Sequence, residues 1–260
     1  MKGSGFIGPV PALVLIAIQS FRAVRTKVRT GSFIDKTNSN FLKENGDWKM
    51  ENLVPLIGNW YGNTAQVFLF AYAFKFAKLG GLNQGVIPII TLFSALFNAV
   101  IFYFAFGERL NCPKAFGMLM AVSCIFCLAL DSMEKEAAGG EHSQMIYSFY
   151  ALGLAFLVPI GFSYKHYVTR RYSDTYNYYD LGLDSGILEN LTFSVFSIYL
   201  LRTEGFSLSQ LFYGGASGLL LALGKVFIAV AVVEGMAGPA QAVMATNSVY
   251  MTILTVVVDQ

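Results

Sequence analysis

Apolar residues run in long blocks along this chain, and short polar or Gly-, Pro- and Asn-rich breaks separate them. A bilayer crossing needs roughly 20 apolar residues in a helix. Eight stretches come close to that length: about 6–24, 53–77, 83–106, 113–130, 145–168, 183–201, 207–233 and 238–258. A backbone facing lipid must satisfy its own hydrogen bonds, so each stretch is expected to be helical. The pattern predicts an all-α, polytopic membrane protein with one long polar connector, Thr26 to Met50. Residues 6–21 lack a cleavage motif and precede a basic run, so they read as a retained span rather than a signal peptide.

Composition reinforces the pattern. Hydrophobic residues make up 55% of the chain and charged residues 13%, where a soluble domain carries about 25% charged. A net charge of +2 argues against a nucleic-acid partner. The cysteines Cys112, Cys124 and Cys127 have neither a second pair nor a nearby His to complete a metal site, and read as small packing residues. No cofactor is implied.

Positive charge orients the spans, because cytoplasmic connectors accumulate Lys and Arg. Residues 22–52, the turn with Arg109 and Lys114, and the connector with Lys165, Arg170 and Arg171 hold 12 of the 18 cations. These are placed in the cytoplasm, which puts both termini of an eight-span chain on the other side.

Many transporters are built from two related halves. A weak repeat is present: Gly58-x-x-x-Gly62 corresponds to Gly214-x-x-x-Gly218, and Gln84-Gly-Val86-Ile to Gln241-Ala-Val243-Met, at offsets of 156 and 157. Small-x-x-x-small faces also serve plain helix packing.

The stretch Ala71 to Leu110, with Pro88 early in a helix and the closing Gly107-Glu108-Arg109-Leu110, resembles the third and fourth helices of the drug/metabolite transporter superfamily. That group includes the EamA-type exporters and the solute carrier 35 nucleotide-sugar carriers. Gly117 and the run Tyr150 to Arg171 are similar to later parts of the same pattern. The resemblance implies a ten-helix fold of two inverted five-helix halves with cytoplasmic termini. Residues 1–140 then correspond to family helices 2–5 and residues 141–260 to helices 6–9, the last incomplete; the first and last helices are absent. A true eight-helix protein is the alternative.

An ionisable residue deep in a span costs at least about 2.5–3.5 kcal/mol, which makes it a functional candidate. Lys225 is the clearest, and Glu189 lies at nearly the same depth in the neighbouring span. The lysine suits an anionic substrate, or the two form an ion pair, or the pair breaks when substrate or a proton binds. Asn59, Asn63 and Gln66 at i, i+4 and i+7 share one helix face, suited to substrate hydrogen bonding or to interhelical contact. Gln84, Gln241 and Asn247 line the matched helix starts that the resemblance places beside a central cavity. Tyr172, Tyr176, Tyr178 and Tyr179 read as an interfacial belt, with Asp180 and Asp184 solvated beside them. His142 is placed in a loop and His166 at a helix end, and no protease or hydrolase motif is present.

The expected function is a secondary transporter working by alternating access on a small polar or anionic metabolite, such as an organic phosphate or nucleotide sugar. The rival is a membrane scaffold or complex subunit that keeps the fold without transport. An enzyme is not expected. The lipid bilayer, a small-molecule substrate and a second copy in a homodimer are the expected partners.

Overall fold

The computed structural model describes residues 8–35, 39–82, 86–91, 93–108, scattered positions between 112 and 127, 142–204 and 207–234. Among them the chain is helical, with α1 Pro9–Thr30, α2 Leu53–Leu79, α3 Val86–Ile90, α4 Phe93–Phe106, α5 His142–Arg171, α6 Tyr178–Glu204 and α7 Leu208–Glu234. A single isolated bridge, Leu42 with Trp48, is the sole β pairing among the described residues. Among the described residues, three segments are long and apolar enough to cross a membrane: Val86–Phe106, Met145–Arg171 and Leu211–Glu234. The expected span 238–258 lies outside the described residues, and 113–130 is described only at scattered positions, which are helical.

Sequence explains the helix ends. α1 carries Pro in its first turn, where the missing N–H costs nothing, and stops at Gly31 with φ +77°, whose N–H bonds Lys27 O at 2.8 Å. It therefore continues through Arg22, Arg25, Lys27 and Arg29, where the charge pattern places a connector. The apolar criterion stops at the first cation, whereas hydrogen bonding carries the helix on for two more turns. α4 ends at Gly107, φ +68°; Gly107 N–H reaches Tyr103 O at 3.1 Å and Glu108 N–H reaches Phe102 O at 3.2 Å. The glycine of the Gly-Glu-Arg-Leu motif is thus a helix stop that needs left-handed backbone. Thr91, which accepts from Ser94 and donates to Pro88 O, separates α3 from α4. α5 runs through Pro159, which removes one helical N–H. Lys165, Arg170 and Arg171 belong to α5 rather than to a connector.

Two compact units divide the chain. One comprises Met1–Thr64 with Val168–Glu234, the other Ala65–Tyr167 with Gly235–Gln260. In the first, α1 lies antiparallel to α6, with Leu15 against Gly186, Gln19 bonded to Asp184 and Arg22 paired with Asp180. α7 lies antiparallel to α6 on Gly182, which Val226 and Ala229 approach. Val10 of α1 sits where a Cβ on Gly215 would lie, at 3.0 Å, so the glycine permits that close approach.

α6 turns its apolar residues outward. Leu181, Ser185, Gly186, Glu189, Asn190 and Ser197 are buried, while Leu188, Leu191, Val195, Ile198 and Tyr199 are exposed. In the second unit, α2 and α5 pack antiparallel: Ser148 donates to Gly80 O, Phe76 meets Tyr147 and Tyr150, and Phe70 meets Phe162. α4 and α5 pack parallel, with Phe93 and Phe97 on Phe156 and Phe106 on Tyr167.

Candidate functional site

The polar residues of the first unit converge on three levels. The outermost is at the start of α6. Arg22 and Asn40 both reach Asp180, and Gln19 Nε2 and the Tyr176 hydroxyl donate to Asp184 at 2.8 and 2.7 Å. Asn52 donates to Asn40 O and Thr175 O, which ties the segment before α2 to the turn before α6. Tyr176 is fully buried, with Phe41 edge-on at 5.7 Å. Two expectations are corrected here: Tyr176 is not an interfacial ring, and Asp180 and Asp184 are partnered rather than solvated. Burial, followed by the Asp184 carboxylate, pushes the ionisation of Tyr176 far up, so its hydroxyl stays a donor. Composition signalled four clustered tyrosines; which one turns inward depends on the turn geometry.

At the middle level, Asn59 Nδ2 donates to Thr169 Oγ1 at 2.8 Å, and Asn59 Oδ1 accepts from Asn63 Nδ2 at 3.1 Å. Ser185 Oγ stands 3.3 Å from the same Oδ1 and also donates to Leu181 O. Asn59, Asn63 and Gln66 are all buried, as their shared face predicts. Asn59 joins α2 to α5 and α6, so its role is interhelical. Trp60 Nε1 adds a bond to Thr192 at 3.1 Å.

The deepest level is the Lys225–Glu189 ion pair, in which Nζ donates to Oε1. Glu189 is 2% exposed. Lys225 lies nine residues before the end of α7, roughly 13 Å in at 1.5 Å per residue. Oε2 of Glu189 and Oδ1 of Asn63 have no hydrogen-bond partner.

The second unit holds a separate polar pair. Asn98, alone in the apolar run of α4, lies 2.9 Å from His166 Nδ1, with both side chains buried. Phe162 stacks at a tilt on the imidazole at 6.3 Å. His166 Nε2, Asn98 Oδ1, Ser163 Oγ and Gln66 Nε2 have no partner. His166 is an interior helical residue, not a helix-end one, because α5 continues to Arg171. A solitary Asn in an apolar run is a signal that was available for Asn98; nothing in the sequence paired it with His166. Gln66 packs on Gly161, whose Cβ position is 3.1 Å from Gln66 Cγ.

Gln84, Gln241 and Asn247 lie outside the described residues. Among those described, no group of three or more His, Cys, Asp or Glu side chains could hold a metal ion. No family model matches the chain, and no curated protein or solved structure does.

Proposed function

We propose that the chain is a multi-pass secondary transporter for a small polar or anionic metabolite, an organic phosphate, nucleotide sugar or similar, working by alternating access. The observation that carries this reading is the Lys225–Glu189 pair. Two opposite charges sit roughly 13 Å (Lys225) and 16 Å (Glu189) along their helices, among buried amides and hydroxyls. Replacing such a pair with apolar residues is often neutral or stabilising, so stability alone does not account for it. An ammonium at that depth, held by one exchangeable partner, suits an anion that displaces the carboxylate.

The parallel course of α4 and α5 supports more than three crossings. A chain leaving α4 at Phe106 must return to the opposite end before entering α5 at His142, and the apolar stretch 113–130 is available for that return. The drug/metabolite transporter resemblance and its inverted repeat extend the same reading to a five-plus-five arrangement. Lipid surrounds the helices, and a second copy is a further candidate partner.

The rival reading, a scaffold that keeps the fold without transport, is favoured by Asn59, whose bonds are spent between helices. Uptake of labelled sugar phosphates and nucleotide sugars into reconstituted vesicles separates the two. Transport by the wild type that is lost in Lys225→Ala is the expected result. Undiminished transport in that variant overturns the site, and no transport of any anion by the wild type favours the scaffold.

A further inference from the structure

α2 and α6 run parallel in the first unit, and their register is set by Asn59 meeting Ser185. Asn63 follows Asn59 by one turn, and Glu189 follows Ser185 by one turn. Residues four apart lie on one helix face, so this register brings Asn63 and Glu189 to the same level, one turn deeper. Each is 2% exposed, and each presents an oxygen with no hydrogen-bond partner, Asn63 Oδ1 and Glu189 Oε2. The amide polarity accounts for the first. Asn63 Nδ2 donates to Asn59 Oδ1 and Asn59 Nδ2 donates to Thr169 Oγ1, so both amides donate in the direction of Thr169 and Asn63 Oδ1 is left unfilled. Two buried acceptors at one level are costly unless a donor reaches them.

We propose that Glu189 Oε2 and Asn63 Oδ1 together bind one proton, and that loading it releases Lys225 to hold an anion, so that the site couples proton uptake to anion binding. This rests on the carrier reading above. A proton from water adds to Oε2, and the new O–H donates to Asn63 Oδ1. The relay then runs Glu189 to Asn63 to Asn59 to Thr169 with each acceptor filled. The neutral carboxyl no longer balances Lys225, and an anion takes its place. When the proton leaves, half-turns of the two amides reverse the relay: the Thr169 hydroxyl donates to Asn59 Oδ1, Asn59 Nδ2 to Asn63 Oδ1, and Asn63 Nδ2 to the Glu189 carboxylate. Ser185 keeps its bond to Leu181 O throughout. An amide exchanges donor for acceptor by rotation alone, so no backbone need move.

The charged surroundings include the buried Lys165, one turn before Thr169 on α5. α7 presents Lys225. The face of α1 against this part of α6, Pro11 to Leu15, has no titratable group, and Leu53 to Thr64 of α2 has Tyr61 alone, which is exposed. Arg170 of α5 is bound to Val232 O and Val233 O. On α6 itself Asp184 is held by Gln19 and Tyr176.

Infrared difference spectra of the purified protein between alkaline and acidic buffer test the proton site directly. The expected result is a protonated-carboxyl stretch that is absent from Glu189→Gln and shifted in frequency in Asn63→Ala, which keeps the carboxyl but removes its acceptor. A spectrum in which Glu189→Gln loses no band, or Asn63→Ala leaves the band unmoved, overturns the site while leaving the carrier reading intact. Sulfate, whose charge is constant over this range, probes the coupling. Its affinity for the wild type should rise as pH falls, by up to about tenfold per pH unit, the limit set by linkage of one proton to one anion, and should be independent of pH in Glu189→Gln. Sulfate binding without pH dependence in the wild type, or no sulfate binding at any pH, overturns the coupling. Loss of uptake in Lys225→Ala is read separately and judges the carrier reading alone.

Discussion

Replacing Lys225 by Met strands Glu189 as a buried carboxylate. Glu189 is 2% exposed and its Oε2 already lacks a partner, so little solvent is available to compensate. Breaking a buried pair from one side costs about 3–5 kcal/mol. Glu189→Gln should cost less, because the Lys225 side chain retains 16% exposure and its flexible stem can move toward water. The double variant Glu189→Met with Lys225→Met removes both charges and should return to within about 1 kcal/mol of the wild type. Neutral hydrogen bonds between membrane helices contribute only about 0.6 kcal/mol on average, so a coupling above about 2 kcal/mol identifies the charges as its source. The assay is equilibrium unfolding in mixed micelles, followed by Trp60 fluorescence in a Trp48→Phe background. Trp60 reports on the same unit through its bond to Thr192. If the single costs simply add in the double variant to within about 0.5 kcal/mol, the pair is not energetically coupled and the reasoning fails.

Three further outcomes are expected. Because burial and Asp184 raise its ionisation, Tyr176 contributes stability that is complete below the ordinary tyrosine value of 10.0 and is lost as pH rises above it. Alkaline difference absorbance should therefore show Tyr176 ionising only with unfolding, and Tyr176→Phe should remove that component at a cost of about 1.5–3 kcal/mol for the lost bond to a charged group. Asn98→Ala leaves His166 Nδ1 buried without its partner, and chemical denaturation should register a loss of about 1–3 kcal/mol. Gly107→Ala forces a Cβ into left-handed backbone at φ +68°, and thermal unfolding should show about 1–2 kcal/mol of destabilisation.

Hydrophobic blocks determined much of this protein by themselves. They marked α2, α5 and α7 to within three residues and α6 to within five, because a long apolar run has few ways other than a helix to satisfy its backbone. The i, i+4, i+7 spacing put Asn59, Asn63 and Gln66 on one buried face, since 3.6-residue periodicity is a local property. Matched depth brought Lys225 and Glu189 together for a similar reason: adjacent antiparallel helices align residues equally far from their shared connection. Tertiary structure decided the rest. Charge patterning ended α1 too early, because cations at a helix end interrupt hydropathy but not hydrogen bonding. Asp180 and Asp184 read as solvated, yet residues about 140 to 165 positions away, Asn40, Arg22 and Gln19, bond to them, and Tyr176, read as an interfacial ring, turns inward onto Phe41. The pairing of Asn98 with His166, and the shared level of Asn63 and Glu189, depend on helix register and on the direction of each amide. Register is set by the sum of many side-chain contacts between helices, and no single stretch of sequence contains that sum.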